Sequence, residues 1–469
     1  MIQYVHRNKR VSEADLPADL TLLDYLRNSL GLSATKEGCA SGDCGACTVA
    51  LGALDESGQL VYQSVNSCIC PATELHAREL VTAADLHGAG SLHPVQSAFV
   101  EQHASQCGFC TPGFIVSAFT LLEGLPEGEI PTEEQASQAV AGNLCRCTGY
   151  GPIIKAVQTA AQDKSCCRSQ TDKQQVAELL RQIEPGLSST AFALPESLDA
   201  LAELMLEEGS FEIIAGGTDL MLEVTQRLQS KPRLIGLSRI VELLKIERQG
   251  QRVSVGAGVS FSQLHAWAAV HLPPLAELLL HIGSDQIRNR GTLGGNLGTA
   301  SPIGDLPPVL LALDAQIRLW SPNGVRELPL AEFFVGYRKT LIHKNEIIHS
   351  VSFELLQSEE LIIEKVSKRR EDDISALLFA ACIGINAGTI ESIKLGLGGV
   401  AAVPTAAPEI SAALVGTAVD TWDMSALRQL VGLHLQPMSD LRASAEYRLH
   451  CTSALLLDAI TRVGGKYEN

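Results

Sequence analysis

The sequence lacks several features that mark particular classes of protein. Basic residues are few: 36 Lys and Arg against 53 Asp and Glu give a formal net charge of −17. An acidic chain without a basic stripe is a poor partner for nucleic acid or an anionic membrane surface. No apolar run is long enough to span a bilayer. The first ten residues, MIQYVHRNKR, show neither a secretion nor a transit pattern, so we expect a cytoplasmic protein.

Two common signatures of enzyme sites are also missing. The sequence has no G-x-G-x-x-G fingerprint, so a Rossmann dinucleotide site is not supported. The twelve histidines show no paired spacing such as H-x3-H, which argues against a mononuclear metal hydrolase. The length of 469 residues suggests about three domains.

Cysteine, in contrast, is plentiful: eleven of the thirteen cysteines precede residue 168. Cys39, Cys44 and Cys47 form a C-x4-C-x2-C pattern, and Cys68 follows downstream. This is the spacing with which plant-type ferredoxins hold one [2Fe–2S] cluster. Gly38, Gly42 and Gly45 lie among these cysteines, as expected for a loop that wraps closely around an inorganic core. We therefore predict that these four cysteines bind a cluster.

A second quartet follows, with Cys107 and Cys110 as C-x2-C and Cys145 and Cys147 as C-x-C. Four thiolates suit a second [2Fe–2S] cluster, but they also suit a structural zinc ion, and zinc stays open here. Disulfides are disfavoured, because clustered thiols in a reducing compartment more often bind metal.

Four cysteine-rich motifs together carry a family resemblance. They are EGCASGDCGACTVAL (Glu37 to Leu51), NSCICP (Asn66 to Pro71), SQCGFCTPG (Ser105 to Gly113) and GNLCRCTGYGPI (Gly142 to Ile153). The set resembles the two-cluster iron–sulfur module of the xanthine oxidase family of molybdenum hydroxylases. The resemblance implies a β-grasp ferredoxin-like domain for the first cluster and a four-helix bundle for the second. It also implies that Cys68 is the ligand, with Cys70 a small buried residue, and that Gln106 and Cys147 face the pterin of a partner subunit.

The residues between these motifs predict local structure. Thr21 with Asp24 marks a helix start, and alternation predicts strands over 48–51 and 60–65. Pro94, Thr111–Pro112, Thr132 with Gln135, and Pro152 mark the starts of four helices. Residues 162–175 are polar and aperiodic, which predicts a linker in which Cys166 and Cys167 are exposed and have no role.

Glycine-rich turns dominate the second half of the chain. Within FEIIAGGTDLMLEV (Phe211 to Val224), the N–H groups around Gly216, Gly217 and Thr218 could form an anion nest, although a plain strand-turn-helix connection is the commoner explanation. Three further stretches are RNRGTLGGNLGTASPIGDLPP (Arg288 to Pro308), GYRKTL (Gly336 to Leu341) and KVSKRREDDI (Lys365 to Ile374). Together they resemble the FAD domain of the same family, which has the vanillyl-alcohol-oxidase fold.

The resemblance implies a set of FAD-binding residues. The pyrophosphate cradle would be Ile213, Ile214, Ala215, Gly216, Gly217, Thr218, Asp219 and Leu220. Further FAD contacts would come from Thr292, Asn296 and Asp305, and the site would be lined by Ile282, Ile348 and Lys365. A mixed-charge loop with Arg369, Arg370, Asp372 and Asp373 would lie beside the isoalloxazine, although most such charge runs are simply solvated.

The expected architecture is α+β and multidomain. It comprises a plant-type ferredoxin-like domain over 1–86, a helical [2Fe–2S] domain over 87–163, a linker over 164–182, an FAD-binding domain over 183–355 and a C-terminal flavoprotein subdomain over 356–469. For the last, we predict a strand over Leu377 to Ile385 followed by two helical stretches, with Cys382 and Cys451 as core residues.

By resemblance, such a chain transfers electrons and does not itself oxidise the substrate. It would work with a large molybdopterin-binding subunit, in a heterodimer or a dimer of heterodimers, and pass electrons through two [2Fe–2S] clusters to FAD and then to NAD. Fusion of the iron–sulfur and flavin parts favours the xanthine dehydrogenase branch, since carbon-monoxide dehydrogenase-like relatives usually separate them. An aldehyde or aromatic substrate, or a non-enzymatic iron–sulfur carrier, remains an alternative.

Overall fold

The computed structural model describes residues 1–14, 16–86, 91–207 and 209–466. The chain divides into two units. The first comprises Met1–Leu201, Glu207–Ile240 and Gly283–Gly291, and the second comprises Ala202–Leu206, Val241–Ile282 and the residues from Thr292 onward. Both units mix sheets with helices, which confirms the predicted α+β class. No helix in the described ranges is long and apolar enough to cross a membrane.

A five-stranded sheet with a short helix across it forms the start of the first unit. The order is β2-β1-β5-β3-β4, and only β1 and β5 pair in parallel. Thr21 caps the helix by accepting the N–H of Asp24 at 3.0 Å, as its sequence position predicts. The strands are β1 (Ile2–His6), β2 (Lys9–Glu13), β3 (Thr48–Leu54), β4 (Leu60–Asn66) and β5 (Glu79–Val81), and the helix Leu22–Asp24 continues as a π-helical turn over Tyr25–Ser29.

Four helices then pack around a core that includes Phe114, Phe119 and Ile153, and they confirm the predicted bundle. Thr132 and Gln135 form the expected capping box. The helix that starts within the SQCGFCTPG motif begins one residue earlier than predicted, because Cys110 and not Thr111 is its N-cap. The helices are Pro94–Glu101, Thr111–Gly124, Glu133–Val140 and Gly151–Ala160.

The predicted linker is an ordered part of the first unit. Residues Lys164–Cys166 form a 3-10 turn, and Gln170–Arg181 form a helix that buries Val176 and Leu180. The prediction of exposed cysteines is wrong, since Cys166 is buried and Cys167 is half-buried, where its thiol donates to the Leu122 carbonyl at 3.2 Å. Sequence periodicity missed this helix because only a narrow stripe of it is apolar.

A small, mostly parallel sheet completes the first unit. Its order is β6-β7-β9-β8, and β7, β9 and β8 run parallel. The glycine turn follows the carboxyl end of β8, which is where ligands bind in parallel sheets. The strands are β6 (Leu187–Ser188), β7 (Phe192–Leu194), β8 (Glu212–Ile214) and β9 (Leu234–Gly236), with helices Leu220–Thr225 and Asp285–Arg288; the helix Leu198–Leu206 begins in this unit, and its residues from Ala202 belong to the second.

The second unit contains a five-stranded sheet in the order β10-β11-β16-β12-β13, a two-stranded ribbon β14-β15 and a three-stranded sheet β17-β18-β19. After β19 the described chain forms three helices where two were predicted. Strands are β10 (Ile246–Gln249), β11 (Arg252–Gly256), β12 (Gln316–Ser321), β13 (Gly324–Pro329), β14 (Phe334–Gly336), β15 (Lys339–Thr340), β16 (Ile347–Glu354), β17 (Glu360–Val366), β18 (Leu377–Asn386) and β19 (Thr389–Gly398). Helices are Phe261–His271, Pro273–Leu280, Leu293–Gly298, Leu306–Ala312, Leu330–Phe333, Pro408–Leu414, Met424–His434 and Ala445–Lys466.

Candidate cofactor-binding sites

The first cysteine quartet converges at one edge of the β-grasp sheet. The Sγ atoms of Cys47 and Cys68 lie 3.3 Å apart, and the Cys39 thiol contacts those of Cys44 and Cys68. The loop turns its backbone toward the sulfurs, because the N–H groups of Ser41 and Cys44 both donate to Cys39 Sγ at 3.4 Å. Four sulfurs with such N–H donors are the ligand set of a [2Fe–2S] cluster.

The contacts among these thiols shift their pKa values in opposite directions. Hydrogen bonds donated by Cys44 and Cys68 lower the pKa of Cys39, and the contact with Cys68 lowers that of Cys47. The pKa values of Cys44 and Cys68 are correspondingly raised. Iron binds the thiolate form of cysteine, so a cationic iron centre in this quartet would displace the remaining thiol protons.

Two glycines show how closely the first loop surrounds its sulfurs. A Cβ on Gly38 would lie 2.7 Å from Cys44 Sγ, and one on Gly42, where φ is +84°, would lie 2.5 Å from Ile69 Cδ1. Only glycine fits such positions. Cys70 is buried, as predicted, and its thiol is directed at the carbonyl of Pro71, 3.6 Å away.

The second quartet lies on the helical domain, partly at its surface. Cys107 Sγ and Cys147 Sγ are 3.7 Å apart and both residues are exposed, while Cys110 contacts Cys145. Burial, with the contact to Cys145, raises the pKa of Cys110 to about 12. Gln106 Nε2 donates to the Cys147 carbonyl at 3.2 Å, so the two residues expected to face a pterin lie together.

The loops of the two quartets are hydrogen-bonded to each other. The N–H of Leu144, which precedes Cys145, donates to the Cys44 carbonyl at 2.9 Å. Asn143 Nδ2 donates to the Gly45 carbonyl at 3.0 Å. Cys44 of the first quartet is therefore one hydrogen bond and one residue from Cys145 of the second.

The glycine turn after β8 has the form of an anion nest. Gly217 has φ of +80°, and within the described ranges no acceptor pairs with the backbone N–H of Gly217 or Thr218. A Cβ on Gly216 would lie 1.8 Å from the Arg290 carbonyl oxygen. The turn is also close to the first cluster loop, since a Cβ on Gly217 would be 3.6 Å from the Ile69 carbonyl.

Several of the remaining FAD candidates lie in the second unit. Thr292 caps the helix Leu293–Gly298 by accepting the N–H of Gly295 at 3.0 Å. Asn296 Oδ1 is enclosed and has no hydrogen-bond partner in the described part of the chain, which fits a ligand donor group. Ile348 is buried, with Cδ1 3.9 Å from a Cβ position on Gly298, and Ile282 is partly buried in the core beside it.

Asp305 and Lys365 form a buried ion pair in the second unit. Lys365 Nζ donates to Asp305 Oδ2 at 2.9 Å and to the His281 carbonyl at 2.7 Å. Ser375 Oγ donates to Asp305 Oδ1 at 2.5 Å. The pair joins β17 to the start of the helix Leu306–Ala312, so both candidates are held in place by each other.

In the mixed-charge loop, the arginine side chains are exposed to solvent, whereas the side chain of Asp373 is held by hydrogen bonds. The side chains of Arg369 and Arg370 are exposed. Asp373 accepts the N–H of Arg369 at 2.9 Å and that of Ile374 at 3.0 Å. Burial raises the pKa of Asp373, but these donors and the Arg369 charge outweigh it, so the pKa is lowered. Asp372 has a left-handed backbone, with φ of +48°.

Gln286 lies outside every motif that predicts a site, yet its side chain bridges three polar groups. Its Nε2 donates to Thr48 Oγ1, Ser117 Oγ and Asn143 Oδ1 at 3.1, 3.2 and 3.1 Å. The residue thus ties the segment before the flavin motif to both iron–sulfur domains. Asn143 lies inside a cysteine motif and could have drawn attention there, but no local pattern marks Gln286.

Arg290 and Glu74 were likewise overlooked. They form a buried ion pair with 2.8 Å between Nη1 and Oε2. Their only sequence signal is charge beside the GTLGG and NSCICP motifs.

Comparison with known families matches most of the chain. Residues 5–73 match the 2Fe-2S iron-sulfur cluster binding domain, and residues 82–158 match the [2Fe-2S] binding domain. Residues 188–353 match the FAD binding domain in molybdopterin dehydrogenase, and residues 364–463 match the CO dehydrogenase flavoprotein C-terminal domain. The chain therefore carries two [2Fe–2S] domains and an FAD-binding domain. The match over residues 82–158 favours an iron–sulfur cluster over zinc at the second cysteine quartet.

Curated relatives and solved structures agree with these matches. The xanthine dehydrogenase/oxidase of Mus musculus is 33% identical over 444 residues, and xanthine dehydrogenase 2 of Arabidopsis thaliana is 33% identical over 449; the alignments cover 83% and 80% of this chain. The chain spans about a third of each relative's length, 33% in both cases.

Two solved structures share part of the fold. The reconstituted CO dehydrogenase from Oligotropha carboxidovorans aligns with a TM-score of 0.54 and 29% identity over 59% of this chain and 98% of that one. Quinoline 2-oxidoreductase from Pseudomonas putida 86 aligns with a TM-score of 0.54 and 25% identity over 60% of this chain and 99% of that one. The chain belongs to the xanthine oxidase family of molybdenum hydroxylases and carries the iron–sulfur and FAD-binding domains of that family.

Proposed function

We propose that the chain is the iron–sulfur/FAD subunit of a xanthine dehydrogenase. It accepts electrons from a molybdopterin-binding partner that oxidises hypoxanthine and xanthine, and delivers them to NAD. When bound, the two clusters carry single electrons and FAD pairs them for hydride transfer. The thirteen free cysteines suit the reducing cytoplasm as the site of this activity.

The spatial order of the sites within the first unit supports this proposal. The second quartet reaches the surface at Cys107 and Cys147, where a partner can approach. Its loop is hydrogen-bonded to the first quartet through Leu144 and the Cys44 carbonyl, 2.9 Å apart. The first quartet is adjacent to the glycine turn through Ile69. The three sites therefore follow one another from the surface to the flavin turn.

The proposed division of labour follows the proposed domains. Residues 1–86 hold the cluster nearer FAD, 87–163 hold the cluster nearer the partner, and 183–355 with 356–469 hold FAD. In this scheme, Gln106 and Cys147 face the pterin, and the Arg369–Asp373 loop lies beside the flavin.

A second candidate keeps the cofactors but changes the substrate to an aldehyde or an aromatic heterocycle. The alignment with quinoline 2-oxidoreductase, at 25% identity, is the observation that supports this second candidate. A non-enzymatic iron–sulfur carrier is disfavoured by the FAD-domain match over 188–353.

Co-purification of the chain with its molybdopterin partner tests the proposal. We expect the complex to reduce NAD with hypoxanthine and xanthine, and to be slower with aldehydes or quinoline. A complex that turns over only an aldehyde or quinoline would show that this compound, and not xanthine, is the substrate. A chain that releases no FAD on denaturation would overturn the role as a flavoprotein subunit.

A further inference from the structure

Behind the glycine turn, the first unit contains a buried group of charged side chains. Glu74 Oε2 lies 2.8 Å from Arg290 Nη1 and 3.2 Å from Arg78 Nη1. Glu74 is 1% exposed and Arg290 is 8% exposed. Arg239 lies beside them, and its Nη2 donates to the His76 carbonyl at 2.8 Å. One carboxylate therefore faces three guanidinium groups.

Glu74, Arg290 and Arg239 keep their charges near neutral pH, whereas burial lowers the pKa of Arg78. Burial raises the pKa of Glu74, but Arg290 and Arg78 more than reverse this effect and lower it to about 2. Burial and the charge of Arg78 lower the pKa of Arg239 only to about 10. Arg290 Nη2 is enclosed without a hydrogen-bond partner in the described residues. A buried cationic nitrogen without an acceptor is unfavourable in a protein interior unless an anion lies nearby.

Arg290 also fixes the orientation of the turn itself. Its Nε donates to the Gly216 carbonyl at 3.3 Å. In a trans peptide the carbonyl and the following N–H point in opposite directions. Because the Gly216 carbonyl points at Arg290, the N–H of Gly217 points away from it, into the nest.

We propose that Arg290, held by Glu74, is a positioning residue for the diphosphate of FAD. It locks the peptide between Gly216 and Gly217 so that the Gly217 N–H faces the diphosphate, and it places positive charge behind the turn. This inference rests on the proposed FAD-binding role of the turn. A diphosphate is the anion that both the nest and the buried, incompletely paired Arg290 suit.

FAD affinity of the full chain tests the inference. The variants are Arg290→Met, Arg290→Lys and Glu74→Gln. The matched control is Arg168→Lys, because Arg168 makes a similar ion pair, 2.6 Å to the buried Glu79, but does not touch the turn. FAD would be removed reversibly, and its rebinding would be measured by flavin fluorescence with cluster absorbance as a check on folding. Competition by ADP, which carries a diphosphate without the flavin ring, provides a second measurement.

We expect Arg290→Met to weaken FAD and ADP binding to a similar extent, by about tenfold or more, because a hydrogen bond to a charged group is lost. Arg290→Lys should be intermediate, since lysine keeps the charge but not both contacts. Arg168→Lys should leave the Kd unchanged. If Arg290→Met fails to incorporate clusters, Arg290→Lys and Glu74→Gln decide the outcome.

Wild-type affinity in folded Arg290 and Glu74 variants would overturn the inference while leaving the proposed function intact. Weakened FAD binding with unchanged ADP binding would also overturn it, because the effect would then not act on the diphosphate. A wild-type chain that binds no FAD would instead overturn the proposed function.

Discussion

At the scale of single residues, position in the fold separates cysteines that the sequence places side by side. Cys68 and Cys70 are two residues apart and both are buried. Cys68 Sγ lies 3.3 Å from Cys47 Sγ, whereas the Cys70 thiol is directed at a carbonyl. The ligand role of Cys68 and the inert role of Cys70 remain predictions, and they can be tested directly.

We predict that Cys44→Ser removes the EPR signal of one cluster while FAD stays bound. The reason is that serine at position 44 removes one predicted thiolate ligand of the first quartet, whereas the flavin turn approaches this quartet at Ile69. EPR of the reduced chain and flavin release on denaturation provide the measurement. Cys70→Ala is the control and should keep both cluster signals. Two intact signals in Cys44→Ser would rule out its role as a ligand.

At the scale of elements, the segment over residues 164–182 connects two domains through ion pairs and is not a simple spacer. Arg168 Nη1 lies 2.6 Å from the buried Glu79, whose other oxygen accepts from Tyr62 at 2.8 Å. Lys173 pairs with Glu123 at 2.7 Å. The segment therefore joins the β-grasp sheet to the helical bundle through charges that are largely out of solvent.

Arg168→Met should lower the free energy of unfolding by about 3 kcal/mol, because it leaves Glu79 buried without its cation. Chemical denaturation followed by circular dichroism measures this change. The exposed pair of Arg462 and Glu364 provides a contrast, and Arg462→Met should cost about 1 kcal/mol or less. Equal stability of Arg168→Met and the wild type would show that the segment is a passive linker after all.

The helix Pro94–Glu101 should make stability depend on pH. Its N-cap, His93, accepts the Val95 N–H through Nδ1 at 3.3 Å, which requires a neutral ring. Burial and the charge of Arg168 lower the pKa of His93 to about 4, from 6.5. The unfolded state therefore binds more protons between these values, so this contribution is complete above about pH 6.5 and is lost as pH falls toward about 4.

Replacing His93 with Asn would keep a capping acceptor that does not titrate. Thermal unfolding at about pH 7 and about pH 5 should show a smaller pH dependence in His93→Asn than in the wild type. An identical dependence in both proteins would assign the effect to other groups.

At the scale of the whole molecule, the candidate cofactor sites are distributed over both units. The described residues place two thiol quartets and a glycine turn in succession within the first unit, while Asn296, Asp305 and Lys365 lie in the second. The family matches over 5–463 assign these parts to iron–sulfur and flavin domains.

We predict that the isolated chain oxidises NADH with an artificial electron acceptor but does not oxidise xanthine. Steady-state assays of the purified chain, with the FAD-depleted chain as control, test this division of labour. The control should lose NADH oxidation and retain cluster absorbance. Xanthine turnover by the isolated chain would contradict the proposal.

The sequence by itself was sufficient for the features whose information is local. The cysteine spacings, the helix N-cap at Thr21, the capping box at Thr132 and the glycine turn at 216–217 are each encoded within a few residues, so motif and periodicity predict them. The same locality explains the error at the Gln170–Arg181 helix, where polar composition hid a narrow apolar stripe.

Only the tertiary structure shows which side chains from distant parts of the sequence contact one another. Glu74 and Arg290 are 216 residues apart in the chain, and Gln286 and Thr48 are 238 apart, yet each pair is in hydrogen-bond contact. Neither contact has a spacing rule, because both depend on how separate elements pack. The candidate cofactor ligands can thus be predicted from the sequence, whereas the side chains that fix the positions of these candidates appear only once the chain is folded.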